Sequence, residues 1–421
     1  MKHKLIRIML TLEIALLLAL LTSQKFPATC AGDSMIIVQP GGSIQEAINS
    51  ASEGQTILIR QGVYAIDYPV LVNKTVILTG ESRNKTIIDG QDLATALCNI
   101  LADNAEVRNL TLRNGQTSFS YGLHLKNVKQ AKIENCYIRN CTHGVYITNS
   151  SNCEISRNLI ANNYYYGIYI VGNSSNNKFF WNTIQNNVQG VSIDLQCLKN
   201  LFYQNNFVQN PLQISGLGAP ANFWNSTYPV GGNYWSDHTS VDVKKGIHQN
   251  ETGSDGIADQ AFQESGATDF YPVMGYINVF QAYLSGSTSY YVLVSSNSST
   301  VSDFLFACPE SFINFTLSAN PKSGFCRVVI PKGLLGVENN SWSVAVGGVE
   351  SGYIFVENDD YSTYLGFTYS VPTAEIVKIQ GTYCLPELQD NTVLIAIIVI
   401  TALAVLAKKT YANGPNSEFH I

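Results

Sequence analysis

Charged residues are scarce in this chain. Asp, Glu, Lys and Arg make up 13% of its 421 residues, about half of the ~25% that is usual in globular proteins. The net charge is −6, and no basic cluster follows the N-terminal segment, so we expect no nucleic-acid partner. No CxxC or Cys/His spacing predicts a zinc site. Tyr and Gly are abundant instead, at 23 and 32 residues, which is typical of an extracellular β protein.

A fourfold repeat occupies residues 121–210. Each unit begins with a glycine and two apolar residues separated by a polar one, and these glycines lie 22, 23 and 23 residues apart, at Gly122, Gly144, Gly167 and Gly190. Two columns of asparagines follow in each unit. The first column is Asn135, Asn158, Asn182 and Asn206, and the second is Asn140, Asn163, Asn187 and Asn210. Self-similarity at this period predicts a solenoid.

The content of the repeat predicts strands. No stretch is long enough for a helix, and alternation in a unit such as 144–147 places Val145 and Ile147 on one face and Tyr146 on the other. Asparagine tolerates left-handed backbone and suits the corners between short strands. We therefore expect an all-β chain built on a parallel β-helix, and coils of 22 to 24 residues favour the three-sided, right-handed type.

The N-terminal region has two recognisable parts. Residues 1–31 resemble a secretory signal peptide, with Lys2, Lys4 and Arg7 ahead of an apolar stretch. Residues 43–52 predict an amphipathic helix with Ser43 at its N-cap. Such a helix would cap the open end of the first coil and block edge pairing there.

Several motifs resemble those of known β-helix proteins. They are Ser43-Ile-Gln-Glu-Ala-Ile48, Thr86-Ile-Ile-Asp-Gly90 and Gly231-Gly-Asn-Tyr-Trp-Ser-Asp237. Together with the repeats they are similar to the NosD-like branch of pectin-lyase-like proteins, over roughly residues 36–274. The resemblance implies a right-handed parallel β-helix over 32–275, with a closing loop segment at 222–275, and points to an archaeal cell surface. The branch takes its name from a periplasmic factor of copper-enzyme maturation.

Beyond residue 275 the solenoid rhythm stops. Alternating strands separated by turn signals predict a β-sandwich over 276–383, followed by a linker at 384–391. The apolar run within 392–409 ends in Lys408-Lys409. It predicts one transmembrane helix, with a buried core helix as the alternative, and a cytoplasmic tail at 410–421. The expected location is the cell membrane, single-pass, with an extracellular body and the membrane contacted through this helix.

The repeat alignment brings aromatic residues into two outward columns. One column continues from its aromatic residues to Ser192 and the other to Gln189, and Asp194 follows on the fourth coil. Tyrosine rings in such rows can contact sugars, whereas packing of strand-forming tyrosines against each other is the simpler interpretation. The candidate carbohydrate-binding residues are Tyr121, His124, His143, Tyr146, Tyr166 and Tyr169.

Two further features of the sequence have candidate roles. Asn250, Asp255 and Asp259 surround a glycine turn that is rich in oxygen ligands. They form a candidate calcium loop, although the full EF-hand spacing is missing, and a turn with Asx hydrogen bonds is the alternative. Cys308 and Cys326 lie in the predicted sandwich and form a candidate disulfide, with buried free thiols as the alternative. No other cofactor is expected.

These features predict a non-enzymatic surface protein that binds or organises other molecules, with surface glycans as candidate partners. Glycosidases require two carboxylates about 5 to 10 Å apart, and no outward column offers two acids. A polysaccharide-modifying lyase, hydrolase or epimerase is the alternative. Copper handling, implied only by the resemblance, is a weaker alternative because histidine and methionine, the ligands that copper favours, number six and four.

Overall fold

The computed structural model describes residues 35–92, 95–115, 119–285, 288–318, 323–338, 341–351, 353–370 and 373–384. Within them the chain forms a right-handed parallel β-helix of about eight turns, followed by two antiparallel sheets. The predicted parallel β-helix is confirmed. The predicted signal peptide and the predicted membrane span at 392–409 lie outside the described residues. In the part of the chain that the structure describes, no helix is long and apolar enough to cross a membrane.

In its described residues the β-helix contains one short α-helix, one turn of 3-10 helix at Ala219–Ala221 and 23 short strands. The helix α1 spans Ile44–Ser50. The strands are β1 (Ile36–Val38), β2 (Thr56–Ile59), β3 (Gly62–Ala65), β4 (Val70–Val72), β5 (Ile77–Gly80), β6 (Thr86–Asp89), β7 (Cys98–Ile100), β8 (Glu106–Arg108), β9 (Thr111–Gly115), β10 (Tyr121–Lys126), β11 (Lys132–Glu134), β12 (Tyr137–Cys141), β13 (His143–Thr148), β14 (Glu154–Ser156), β15 (Leu159–Ala161), β16 (Tyr166–Val171), β17 (Lys178–Phe180), β18 (Thr183–Gln185), β19 (Gln189–Ile193), β20 (Leu201–Tyr203), β21 (Asn206–Val208), β22 (Leu212–Ser215) and β23 (Tyr234–Trp235).

These strands stack into three parallel sheets, one on each side of the coil. Sheet A has the order β1-β2-β5-β8-β11-β14-β17-β20, sheet B has β23-β21-β18-β15-β12-β9-β6-β3, and sheet C has β22-β19-β16-β13-β10-β7-β4. The inward positions hold fully buried aliphatic residues such as Val145, Ile147 and Ile168. All three sides of the coil therefore contribute columns to the core, two of them from sheet C, and the period-2 alternation of the sequence sends the intervening side chains outward.

The helix α1 covers the first coil. The Ser43 hydroxyl caps it by accepting a hydrogen bond from the Glu46 amide at 3.1 Å, as the sequence predicts. Ile44, Ala47 and Ile48 are buried on one face and belong to the same core as the first strands. This helix closes the N-terminal end of the apolar interior.

Buried asparagines form ladders at the corners of the coil. In the longest, each side-chain Oδ1 accepts from both the main-chain N–H and the Nδ2 of the asparagine one coil before it. Its members are Asn158, Asn182, Asn205 and Asn233. A second ladder holds Asn163, Asn187 and Asn210, and a third holds Asn177, Asn200 and Asn222. Because ladder residues satisfy corner main-chain groups that no strand pairs, they stabilise the turns of the coil between residues 136 and 233.

The ladders differ from the predicted columns in the first and last repeats. Asn135 and Asn140 have positive φ values of 49° and 53° and lie one residue before the ladder positions, which Cys136 and Cys141 occupy. Likewise Asn205, not Asn206, is the ladder residue. Left-handed and ladder positions are adjacent and both favour asparagine, so the sequence cannot separate them where two asparagines or an asparagine and a cysteine follow each other.

Each ladder begins at a buried cysteine. The amide of Cys136, of Cys141 and of Cys153 donates to the first asparagine of its ladder, at 2.8, 3.2 and 2.9 Å. All three thiols are free and buried, and burial raises each of their pKa values, to about 12, 12 and 11. A cysteine suits the end of a ladder because it fills the position without demanding further hydrogen-bond partners.

The remaining strands are antiparallel. Two hairpins close the β-helix, and two five-stranded sheets follow with the orders β28-β29-β32-β37-β36 and β30-β31-β38-β34-β35. Those two sheets bury one shared core that includes Val294, Phe315 and Phe367. The strands are β24 (Lys244–Lys245), β25 (Glu251–Thr252), β26 (Phe262–Glu264), β27 (Ala267–Asp269), β28 (Tyr276–Ser285), β29 (Thr288–Ser296), β30 (Val301–Ala307), β31 (Phe312–Leu317), β32 (Ser323–Pro331), β33 (Leu335–Gly336), β34 (Ser343–Val346), β35 (Val349–Ser351), β36 (Tyr353–Asn358), β37 (Ser362–Ser370), β38 (Glu375–Gln380) and β39 (Tyr383–Cys384).

The predicted pairing of Cys308 with Cys326 is wrong. Cys308 is bonded to Cys384, with a Cα–Cα distance of 5.9 Å, whereas Cys326 is a free, fully buried thiol in β32. Cys326 faces the shared core, where burial raises its pKa. Sequence spacing alone does not fix disulfide connectivity, and the strand order of the two sheets decides it here.

Candidate functional site

The six aromatic residues predicted from the repeats form one patch on the outer face of sheet C. We call them the aromatic stripe. Strand register pairs Tyr121 with His143 and His143 with Tyr166. It likewise pairs His124 with Tyr146 and Tyr146 with Tyr169. The predicted columns are therefore confirmed, since parallel strands place equivalent residues of successive coils about 4.8 Å apart.

The rings of the aromatic stripe contact each other along and across the columns. Tyr121 and Tyr146 are stacked with ring centroids 4.2 Å apart, and His143 is stacked on Tyr166 at 5.0 Å. Tyr166 and Tyr169 lie 4.5 Å apart. Within the stripe, most ring faces are covered by the neighbouring ring, so the solvent meets mainly ring edges and hydroxyl groups.

The stripe carries no positive charge at neutral pH. Burial lowers the pKa of both His124 and His143 to about 4, with Lys126 adding to the effect at His124. Both imidazoles are therefore neutral in most conditions and pack as aromatic rings. Burial, followed by the negative charge of Asp194, raises the pKa of Tyr169 to about 12. The patch is an uncharged aromatic surface with an acid at one end.

The stack of rings ends at Tyr166 and Tyr169. On the next coil their register partners are Gln189 and Ser192, and Ser192 is paired in turn with Ser215. Because these side chains are small or flexible, they leave a groove of about 610 Å³ beside the last two rings. The groove is lined by Tyr166, Tyr169, Gln189, Ser192, Asp194, Leu195, Gln196, Ser215, Gly216 and Leu217. We call it the terminal groove.

A larger cleft of about 890 Å³ lies between the β-helix and the β28–β29 hairpin. Asn206 fixes one wall, because its side chain both accepts from the Ile277 amide at 2.8 Å and donates to the Ile277 carbonyl at 2.9 Å. Thr183 and Tyr276 add a hydroxyl–hydroxyl contact of 2.9 Å. We call this space the interdomain cleft.

Opposite charges alternate along the floor of the interdomain cleft. On sheet A, Lys132 is the register partner of Glu106 on one side and Glu154 on the other. The Lys132 ammonium lies 3.6 Å from the Glu106 carboxylate. Deeper in the cleft, Arg157 is ion-paired with Glu134, and its guanidinium lies 3.9 Å from the centroid of the Tyr291 ring. Most of these charges are matched by neighbours, which is how an exposed strand face is stabilised without a ligand.

The predicted calcium loop does not fit a calcium ion. The Asp255 carboxylate accepts hydrogen bonds from the Gly246 amide and the Gln249 side chain, and the Asp259 carboxylate accepts from the Lys244 amide. The Asn250 side chain is exposed. Carboxylate oxygens that already accept N–H groups cannot also direct those lone pairs at a cation. The loop is instead held together by Asx-type hydrogen bonds.

The described residues also do not fit a copper site. Among them, no group of three or more His, Cys, Asp and Glu side chains is arranged to hold a metal ion. His124 and His143 lie in one stripe, but His143 is stacked between Tyr121 and Tyr166. Copper would need imidazole or sulfur ligands that converge, and the imidazoles here serve packing.

Sequence reasoning missed both cavities and two of their residues. Trp181 and Tyr291 are separated by 110 positions, yet their ring centroids lie 5.6 Å apart in the interdomain cleft. No repeat or spacing signal connects them. The terminal groove did have a signal, because the aromatic columns stop at Ser192 and Gln189, and a change from large to small residues in an outward column predicts an opening.

Comparison with known proteins places the β-helix in a recognised group. Residues 48–240 match the family described as periplasmic copper-binding protein (NosD), which is consistent with an exported body. Pectate lyase PEL9 of Emericella nidulans is 28% identical over 171 residues, covering 36% of this chain and 38% of that protein. The chain thus spans well under two thirds of this curated relative.

Solved structures share the general architecture at low similarity. Pectin methylesterase PemA from Erwinia chrysanthemi is 14% identical, with 48% of this chain and 92% of that chain covered and a TM-score of 0.24. Tailspike gp49 of Acinetobacter baumannii bacteriophage Fri1, a capsular polysaccharide depolymerase, is 12% identical, with coverage of 79% and 80% and a TM-score of 0.25. These scores say nothing about activity. The family match, the relative and the three stacked sheets together identify residues 48–240 as a NosD-like, pectin-lyase-like parallel β-helix repeat region.

Proposed function

We propose that this chain is an exported β-helix protein that binds carbohydrate without modifying it, and that sugars are bound at the terminal groove. One observation carries the proposal. The aromatic column stops at Ser192, so the last rings have small polar residues, not rings, beside them on the next coil. Protein–sugar contact commonly combines an aromatic face with nearby hydroxyl and amide groups, and the groove offers both. Gln189 and Gln196 supply the polar groups, and the Ser215 hydroxyl orients Gln189 by donating to its Oε1 at 2.5 Å.

The other four residues of the aromatic stripe support the site without contacting the sugar. Tyr121, His124, His143 and Tyr146 pack against each other and hold Tyr166 and Tyr169 in place. This divides the predicted binding set into two groups with different roles. The ring ladder positions the site, and the last two tyrosines contact the ligand.

Two substitutions at the terminal groove test the binding site. Ser192→Tyr continues the column and fills the groove, and we expect it to abolish binding. Because Ser192 is 5% exposed, the added ring should also cost about 1 to 3 kcal/mol of stability, and circular dichroism should show that the coil is still folded. Tyr169→Ala removes one ring face, and we expect about a fivefold to tenfold loss of affinity because such contacts contribute on the order of 1 kcal/mol. The measurement is titration calorimetry with neutral oligosaccharides that bind the full chain in a glycan-array screen.

The control is Tyr361→Ala, which removes an exposed tyrosine from the antiparallel sheets and should leave the affinity unchanged. Unaltered binding by Ser192→Tyr would show that the groove is not the site. Depolymerisation of a polysaccharide on the same panel, lost in Glu154→Gln, would contradict the non-enzymatic role and favour catalysis in the interdomain cleft, where Glu134 and Glu154 are both found.

We further propose that residues 392–409 anchor the protein in a membrane with the β-helix outside the cell. The apolar run followed by Lys408-Lys409 supports this orientation. The full chain is expected to remain with membranes after a high-salt wash and to need detergent for release, whereas a chain that ends at Cys384 is expected in the soluble fraction. Release of the full chain by salt alone would contradict the anchor.

A further inference from the structure

The terminal groove has a negative wall. Of the described residues that line it, Asp194 has the one charged side chain, and this side chain is exposed. The Tyr169 hydroxyl donates to the Asp194 carboxylate across 3.4 Å. The carboxylate is therefore held at the edge of the same rings that form the opposite wall. The sugar contacts proposed for Tyr166 and Tyr169 do not use this charge.

A carboxylate beside two tyrosine rings is an environment for a cation. Ring faces attract positive charge through their quadrupole, and the carboxylate adds a direct ion pair. Burial raises the pKa of both Tyr166 and Tyr169, and the negative charge of Asp194 adds to the effect at each phenol. Lys and Arg are absent from the described lining of the groove, so no cationic side chain there competes for the carboxylate.

We infer that the terminal groove binds the ammonium group of an amino sugar, that is, a hexosamine whose nitrogen is not acetylated. This rests on the proposed carbohydrate-binding function and names its ligand class. The sugar ring lies against Tyr166 and Tyr169, the ammonium group contacts Asp194, and the remaining hydroxyls meet Gln189 and Gln196. A uronic acid is disfavoured at the same place, because its carboxylate would face that of Asp194.

A sugar suits the groove better than a lysine side chain of a protein partner. A lysine presents one charge on a flexible apolar stem and offers no group to the amide and hydroxyl side chains that surround Asp194. A hexosamine offers both, with several hydroxyl groups in fixed positions around its ring. The mixture of polar groups, rings and a single carboxylate therefore favours an amino sugar.

The test compares two ligands that differ only in acetylation. The full chain is titrated calorimetrically with a β-1,4-linked glucosamine hexamer and with its fully N-acetylated form, at about pH 6, below the ~7.7 typical of α-amino groups. We expect the free-amine hexamer to bind about tenfold more tightly, since an exposed ion pair and a cation–π contact act together. In Asp194→Asn, which keeps the shape of the side chain, the ratio of the two affinities should fall to about one.

The matched control is Asp67→Asn, at an exposed aspartate between β3 and β4, which should keep the tenfold ratio. Equal affinities in the unaltered protein, or a ratio that survives Asp194→Asn, would overturn the amino-sugar site. In that case, binding that is still abolished by Ser192→Tyr would leave the proposed carbohydrate function standing. If neither hexamer nor any neutral oligosaccharide binds, both proposals fail.

Discussion

Replacing Asn182 with alanine is expected to lower the free energy of unfolding of the β-helix by about 4 kcal/mol. The residue is fully buried at the centre of the longest ladder. Its Oδ1 accepts from the Asn158 amide and from the Asn158 Nδ2, both at 3.0 Å, and its Nδ2 donates to the Ile155 carbonyl at 2.7 Å. Alanine removes all three hydrogen bonds. The Asn158 Nδ2 keeps its bond to the Ile133 carbonyl, and each buried group that loses its partner costs about 1 to 3 kcal/mol.

An isosteric variant separates hydrogen bonding from packing. Asn182→Asp keeps the volume and one acceptor oxygen, but its second oxygen faces the Ile155 carbonyl and the Asn205 Oδ1, which are both acceptors. We expect it to destabilise the coil as well, whereas a packing effect alone would spare it. Asn173→Ala, at an exposed asparagine, is the control and should change stability by less than about 0.5 kcal/mol.

Guanidinium denaturation followed by circular dichroism measures these effects. Repeat proteins lose stability through interfaces between neighbouring units, so a break at Asn182 should lower the denaturation midpoint of the whole coil. A loss below about 1 kcal/mol in Asn182→Ala would mean that the ladder is not a main source of stability.

Arg327→Met should also destabilise the protein strongly, by about 3 kcal/mol. Arg327 lies in β32, is 3% exposed, and donates to the main-chain carbonyls of Asp255 and Pro229 in the segment that closes the β-helix. Burial lowers its pKa, and the Asp255 carboxylate opposes that effect. Methionine keeps an apolar stem but removes the donors to these two buried carbonyls, at about 1 to 3 kcal/mol each.

Because Arg327 joins the β-helix to the antiparallel sheets, Arg327→Met should have a second measurable effect besides the loss of stability. Hydrogen exchange of amides in residues 242–259 should become faster in Arg327→Met, since that loop loses its anchor. Lys378→Met, at an exposed lysine of the same sheets, should alter neither stability nor exchange. Unchanged exchange in Arg327→Met would show that the contact does not hold the loop.

The sequence predicted the coil well because its period is local. The glycines at 122, 144, 167 and 190 fix the length of each coil, and alternation around them fixes which side chains face inward. Parallel register then follows without further information, so the placement of Tyr146 beside Tyr169 was available before the structure. The register alone does not show which ring faces are exposed to solvent.

The incorrect and undecided details have physical causes. Two adjacent corner positions both favour asparagine, one because its backbone is left-handed and the other because it belongs to the ladder. The repeat pattern therefore aligns Asn135 with the ladder asparagines, whereas Cys136 occupies the ladder position. The disulfide prediction placed Cys308 with Cys326, but β32 directs Cys326 into the core, while Cys384 lies where the chain returns in β39. The candidate calcium loop was undecided because the sequence cannot show that its carboxylates already accept main-chain N–H groups.

The sequence by itself determined the solenoid, its period and the two outward columns of aromatic residues, because each depends on residues within one or two coils of each other. Only the tertiary structure decided the disulfide, the burial of Arg327, the interdomain cleft and the terminal groove with its carboxylate. Those features join residues that are distant in sequence or depend on the space left between side chains. No local pattern encodes such space, and it exists only once the coils are stacked and the antiparallel sheets are packed against them.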